Sequence, residues 1–207
     1  MGDMTRNVVF LHPAGTQPDS WVGVVNTLPP GVTPWLPNVS TGDLGSQFAD
    51  VEKLLDRNEL RDVALVAFGT GAPAAVLLAA RQPHRVDSLV LASPLLHVDP
   101  ERTQAMARAL KWVPGFLLKR RGMDKREMLA RLAEGPVHEP AAVLAEITAP
   151  TLLLSTQEKQ VAEQVSQTAE RMPQATVRVI EDVSGAWYED DPDRFSSEVF
   201  QFLDQGR

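Results

Sequence analysis

A Gly-Thr-Gly turn, four histidines and the absence of cysteine delimit the chemistry this sequence could perform. Without cysteine there is no thiolate nucleophile, no disulfide framework and no cysteine-based zinc site, so a reducing compartment, the cytoplasm, is expected. Histidines stand at positions 12, 84, 97 and 138 with no carboxylate at ligand spacing, which makes no metal motif; no metal and no other cofactor is expected. His84 and His138 fall in loop contexts and read as surface residues. His12 directly follows an apolar run and can exchange a proton near neutral pH. It belongs, with Ser93, Ser155, Thr156 and Ser184, to a set of polar residues at the C-terminal ends of predicted strands, where open parallel sheets bind their ligands.

The elements that must position these residues follow from apolar runs and their punctuation. Asn7 to Leu11 reads as a buried strand, and Ser20 starts a helix carrying Trp21, Val24, Val25 and Leu28. Gly31 to Val39 is extended but contains Pro34 and Pro37, which places it at a sheet edge or outside the sheet. Phe48, Val51, Leu54 and Leu55 recur at helical spacing. Asp62 to Phe68 is a central-strand run, Gly69-Thr70-Gly71 a tight turn, and Ala72 to Gln82 a helix of small and apolar residues suited to close packing on a sheet. Further strands are Val86 to Ala92, Thr151 to Ser155 and Ala175 to Ile180, with helices near Glu158 to Arg171 and Pro192 to Leu203. This alternation predicts one α/β domain over residues 1–207, with about six mostly parallel strands and helices on both faces. From about 95 to 147 the sequence turns helical and is broken by prolines and glycines, the signature of an inserted helical cap.

Composition narrows the partners. A length of 207 residues, 43% hydrophobic and 23% charged, suits a single globular domain. A net charge of −7 argues against a nucleic-acid surface. No apolar stretch approaches the roughly 20 residues needed to span a bilayer. Within the cap, Met106, Leu110, Val113 and Leu117 recur at helical spacing beside Trp112 and Phe116, either as helical core or as the lining of an apolar pocket. The basic group at 119–121 and 125–126 reads as a solvated helix end, with an acidic partner or membrane surface as the alternative. A homodimer through the edge at Gly31 to Val39 or through the cap is a further expectation.

Five stretches in order, LHPAG after the first strand, VALVAFGTGAPAAVLLAA, RVDSLVLASP, APTLLL and SGAWYEDDPDRFSSEVFQFL, resemble the α/β-hydrolase superfamily over nearly the whole chain. The resemblance implies an oxyanion loop at His12 to Gly15, an acid delivered after the APTLLL strand, and a base in the SGAWY segment. The two antiparallel strands that open many members have no counterpart ahead of Asn7, so Gly31 to Val39 becomes the sheet edge.

In this superfamily the nucleophile sits on a strained turn flanked by small residues two positions away on each side. Gly69 at that position puts Ala67 and Gly71 at the two small positions; Thr70 as nucleophile would require a small residue where Phe68 stands. The acid position falls on Lys159, with Glu158 one residue out of register, and the base position on Ala186. Ordinary serine-hydrolase chemistry is therefore not expected. The backbone N–H groups of Thr70 and Gly71, at the start of a helix, are still expected to face the crevice and to serve an anion or carbonyl.

The resemblance gives His12 a role bracing the oxyanion loop, with proton transfer as the alternative. His97 is a pocket wall, a cap contact or a surface residue, and Trp187 either plugs the space near Gly69 or stacks on a ligand. Ala14, Ser93 and Ser155 complete the expected pocket. Three functions follow: a pseudoenzyme that binds a small, mainly apolar molecule or a partner protein; a non-hydrolytic enzyme of isomerase, lyase or cyclase type using His12 and the turn amides; or a weak esterase or lactonase.

Overall fold

A computed structural model of the chain describes residues 6–39, 43–97, 108–115 and 139–205. The run that organises it is Val63–Phe68, here β3, whose six residues are all buried. A strand buried on both faces needs parallel neighbours covered by helices, and β3 has them. β1 (Arg6–Leu11) and β4 (Val86–Ala92) flank it, β2 (Val32–Trp35) lies outside β1, and β5 (Thr151–Thr156) and β6 (Thr176–Ile180) lie outside β4. The order is β2-β1-β3-β4-β5-β6, and all five pairings are parallel. The six strands expected from the sequence are present; the extended segment at 31–39 contributes only its Val32–Trp35 portion, at the edge that its prolines require.

Alternation along β3 divides the core. Leu65 and Ala67 face one side with Val51 and Leu55 of α2 (Leu44–Arg57), Leu78 of α3 (Ala72–Arg81) and Val165. Val66 and Phe68 face the other side, with Trp21, Val24 of α1 (Val22–Val25), Tyr188, Phe195 and Val199. Burying a Val, Leu or Phe side chain contributes about 1.5–3 kcal/mol relative to exposure, so the two layers hold the strand ends in place. Local signals set the helix starts. Asp43 caps α2 by accepting the Ser46 N–H at 3.0 Å, and this bond holds its carboxyl below the usual aspartate value. Four further helices follow: α4 (Glu139–Ala142), α5 (Lys159–Arg171), α6 (Trp187–Asp190) and α7 (Pro192–Gln205).

The chain divides into two compact units, residues 1–96 with 139–207, and residues 97–138. The second is narrower than the 95–147 insertion read from the sequence, because Leu144 and Ile147 are buried in the core of the sheet unit. Within the second unit, residues 108–112 are helical; Leu110 is buried and Trp112 is 89% exposed. Trp112 therefore does not join a helical core. Met106, Phe116, Leu117, His138 and the basic residues at 119–126 lie outside the described residues.

Candidate functional site

β3 ends at Phe68, and the chain turns into α3 through one tight turn, Gly69–Gly71. Gly69 has φ +54°, a left-handed value that costs an L-residue about 1–2 kcal/mol. The bend is thus at 69 and not at Thr70, whose φ is not positive. A Cβ placed on Gly69, itself buried, would meet Pro13 Cβ at 3.7 Å, an ordinary van der Waals contact, so no clash bars a side chain there. Gly71 is different: a Cβ there would lie 2.6 Å from the Leu11 carbonyl oxygen and 2.9 Å from that of His12. Glycine at 71 lets the start of the helix press against the end of β1, and this close approach is why the small position falls two residues after the bend. The Gly69 carbonyl accepts the N–H groups of Ala72 and Leu95, the latter at 3.1 Å, so the turn is tied on both sides.

Strand register sets Phe68 beside Ala92, so the residues that follow β1 and β4 flank the turn. After β1 the Pro13 carbonyl gathers three donors: His12 Nδ1 at 3.1 Å, the Thr16 N–H at 3.2 Å and Thr16 Oγ1 at 2.8 Å. Because a carbonyl only accepts, His12 carries its proton on Nδ1 in this contact. The residue is buried, 5% exposed. Next in the chain, the Ala14 N–H donates to Thr70 Oγ1 at 2.6 Å. That bond joins the loop after β1 to the turn after β3. The Ala14 amide is also the one hydrogen-bond partner of the Thr70 hydroxyl among the described residues, so no imidazole stands ready to take its proton.

After β5, Ser155 and Thr156 are buried, and Ser155 Oγ donates to the Thr156 carbonyl at 3.0 Å. Ser155 therefore turns inward to its own strand. Glu158 caps α5 in extended conformation; its N–H donates to Thr156 Oγ1 at 3.3 Å, and its Oε2 accepts the Gly185 N–H at 3.2 Å. Lys159, the residue assigned to the acid position from the sequence, instead begins the helix with its side chain 91% exposed and paired with Glu163 at 3.8 Å. The carboxylate that reaches the loop before Ala186 is Glu158. The sequence reading put Lys159 at the acid position with Glu158 one residue out of register; the hydrogen bond to the loop is made by Glu158.

Ala186 is exposed and has no side chain beyond Cβ; Gly185 before it has φ +57° with open space around it. Trp187, expected either to plug the space near Gly69 or to stack on a ligand, is buried in the aromatic layer. Trp187 is 1% exposed and packs tilted against Phe195 with ring centroids 4.9 Å apart, while Tyr188 is fully buried, its ring 4.2 Å from that of Trp21 and 4.7 Å from that of Phe68. Both rings belong to the core. Burial pushes the Tyr188 phenol well above its ordinary value.

Ser93, directly after β4, is buried with φ +44°, uncommon for a residue with a side chain, and its N–H donates to the Leu154 carbonyl at 2.8 Å. His97 is half-buried and belongs to the second unit. Among the described residues no three His, Asp or Glu side chains cluster as a metal site would require, and no helix is long and apolar enough to cross a membrane. The turn thus carries no side chain at 69, and position 186 carries only a methyl group.

Comparison with known proteins bears on the fold. Residues 8–198 match a family model described as the alpha/beta hydrolase family. No curated protein matches the sequence. Among solved structures, a hydrolase from Pseudomonas aeruginosa PA01 superposes with a TM-score of 0.76 at 18% identity, covering 96% of this chain and 90% of that one. MenH from S. aureus gives 0.74 at 15% identity, covering 98% and 95%. The enol-lactonase from Burkholderia xenovorans LB400 gives 0.69 at 17% identity, covering 96% and 91%. At these identities the likeness concerns the fold.

Proposed function

Since this chain belongs to the alpha/beta hydrolase family, we propose that it uses the family scaffold to bind and not to hydrolyse: a cytoplasmic pseudoenzyme whose ligand is a small, mainly apolar molecule or a partner protein. The observation that carries this reading is Gly69 at the φ +54° tip of the turn, where a hydrogen atom stands in place of a nucleophile. Ala186 supports it, because an alanine cannot take the proton that activates a hydroxyl. What remains is the hydrogen-bonding half of the machinery. The Ala14 N–H and the first amides of the Gly69–Arg81 helical segment suit a carbonyl or carboxylate oxygen. At present the Thr70 hydroxyl occupies the Ala14 donor, so a ligand oxygen binding there displaces it.

A non-hydrolytic reaction driven by His12 has less support. His12 is 5% exposed, and its Nδ1 is committed to the loop carbonyl, which fits a brace better than a proton shuttle. A weak esterase or lactonase ranks last for want of a base. The test is a pair of measurements on the intact chain: turnover of a panel of chromogenic esters, and thermal stabilisation by carboxylic acids and ketones with apolar bodies. No turnover with ligand-dependent stabilisation is expected; ester turnover above the blank, abolished by no change at residue 12, would overturn the binding reading.

A further inference from the structure

The two ends of the sheet are not alike. β2, at one end, contains Pro34, which has no N–H to offer a further strand, and its residues are all half-buried. β6, at the other, pairs with β5 alone among the described residues and reads TVRVI, with no proline and no lysine to discourage pairing. Its Val177 and Val179 are 46% and 56% exposed. By strand alternation they share one face, and Arg178 and Ile180 share the other. On that second face Arg178 is held by α7: its guanidinium meets the Glu198 carboxylate at 2.6 Å and Gln201 Oε1 at 3.0 Å. The edge thus combines unpaired backbone groups, β-branched residues and an apolar stripe left uncovered.

We propose that this edge is where a second copy of the chain docks, β6 running antiparallel to its counterpart across a two-fold axis at Arg178, so that two six-stranded sheets become one. Self-pairing is favoured by the sequence of the strand itself. With Arg178 on the axis all five residues of β6 find partners, and Val177 lies opposite the partner's Val179. Directly opposed residues of an antiparallel pair share a face, so both exposed valines of both copies join in one stripe. Charge is balanced at the axis as well. Each Arg178 already carries its own Glu198, and the four charges there are two of each sign, which offsets the opposition of the two guanidinium groups. A closed two-fold contact of this type uses the same patch twice. An interface of five residue pairs is at the small end of the size range and therefore weak.

The chain has no cysteine of its own, which makes a cross-linking test clean. Sedimentation equilibrium of the intact protein, up to about 1 mM because the contact is weak, should show mass rising from 22.7 kDa towards twice that value. The double variant Val177→Lys/Val179→Lys should remain monomeric with an unchanged melting curve, since both side chains are exposed. Independently, oxidation of a mixture of V177C chains and V179C chains should give several-fold more covalent dimer than either variant alone. A monomer at all concentrations, whether its edge stays free or accepts a different protein, overturns the inference. So does a dimer that survives the lysine variant, or cross-linking that is no greater in the mixture.

Discussion

Glu158 Oε2 accepts the Gly185 backbone N–H at 3.2 Å, and so a carboxylate is fixed beside the residue that immediately precedes Ala186. The anion lacks an imidazole to orient. Gly69→Ser together with Ala186→His should then create ester hydrolysis that neither single variant has, and adding Glu158→Gln should lower it by about 10²- to 10⁴-fold. Hydrolysis by the Gly69→Ser variant alone would mean that a base stands elsewhere.

Two glycines two residues apart should respond differently to the same change. Gly69→Ala adds a methyl group in ordinary contact with Pro13 Cβ at a left-handed φ and should cost about 1–2 kcal/mol. Gly71→Ala drives a methyl group against the backbone carbonyls of β1 and should cost more than about 3 kcal/mol, if it folds at all. Urea unfolding of both variants measures the difference, and equal costs would mean the bend is misplaced.

Trp187 distinguishes core from plug. As a member of the aromatic layer with Trp21, Tyr188 and Phe195, its replacement by alanine should destabilise the protein by about 3–5 kcal/mol. A plug at the surface of the turn would be lost at little cost in stability and would open the site to ligands. Chemical denaturation of Trp187→Ala separates the two outcomes.

Tyr188 is the single tyrosine of the chain, so the phenolate absorbance band reports on it alone. Its folded pKa is raised by burial, hence the unfolded chain releases the phenolic proton first. The stability contributed by the buried phenol is complete below the ordinary value of 10.0 and declines as pH rises above it. Titration should therefore show no native phenolate around pH 10, with ionisation appearing together with alkaline unfolding. An ordinary titration curve in the folded protein would contradict the burial.

Much of the scaffold was legible because its signals are local. VALVAF is an uninterrupted apolar run and GTG a break after it, so β3, the turn and α3 were all in plain view, and Pro34 marked the edge strand by what it cannot donate. The register of the turn was legible for a steric reason, since Phe68 is too large for the position a nucleophile at 70 would demand. Contacts between distant segments were not. The bond from Ala14 to Thr70 joins residues 56 apart, and nothing in either neighbourhood announces it. Trp187 sits one residue from Ala186, but the ring it packs against, Phe195, comes from α7, which the local sequence does not announce. Lys159 and Glu158 differ by one step along the chain, and only the extended backbone at Glu158, before the helix sets in, decides which side chain turns to the loop.

Incubating the unmodified protein with a fluorophosphonate probe, followed by intact-mass and peptide mass spectrometry, tests the absence of a nucleophile most directly. No adduct is expected on the native chain, and a single adduct at residue 69 is expected on the Gly69→Ser/Ala186→His variant. Stoichiometric labelling of the native chain at Thr70, or at any serine beside the turn, would contradict the non-hydrolytic reading.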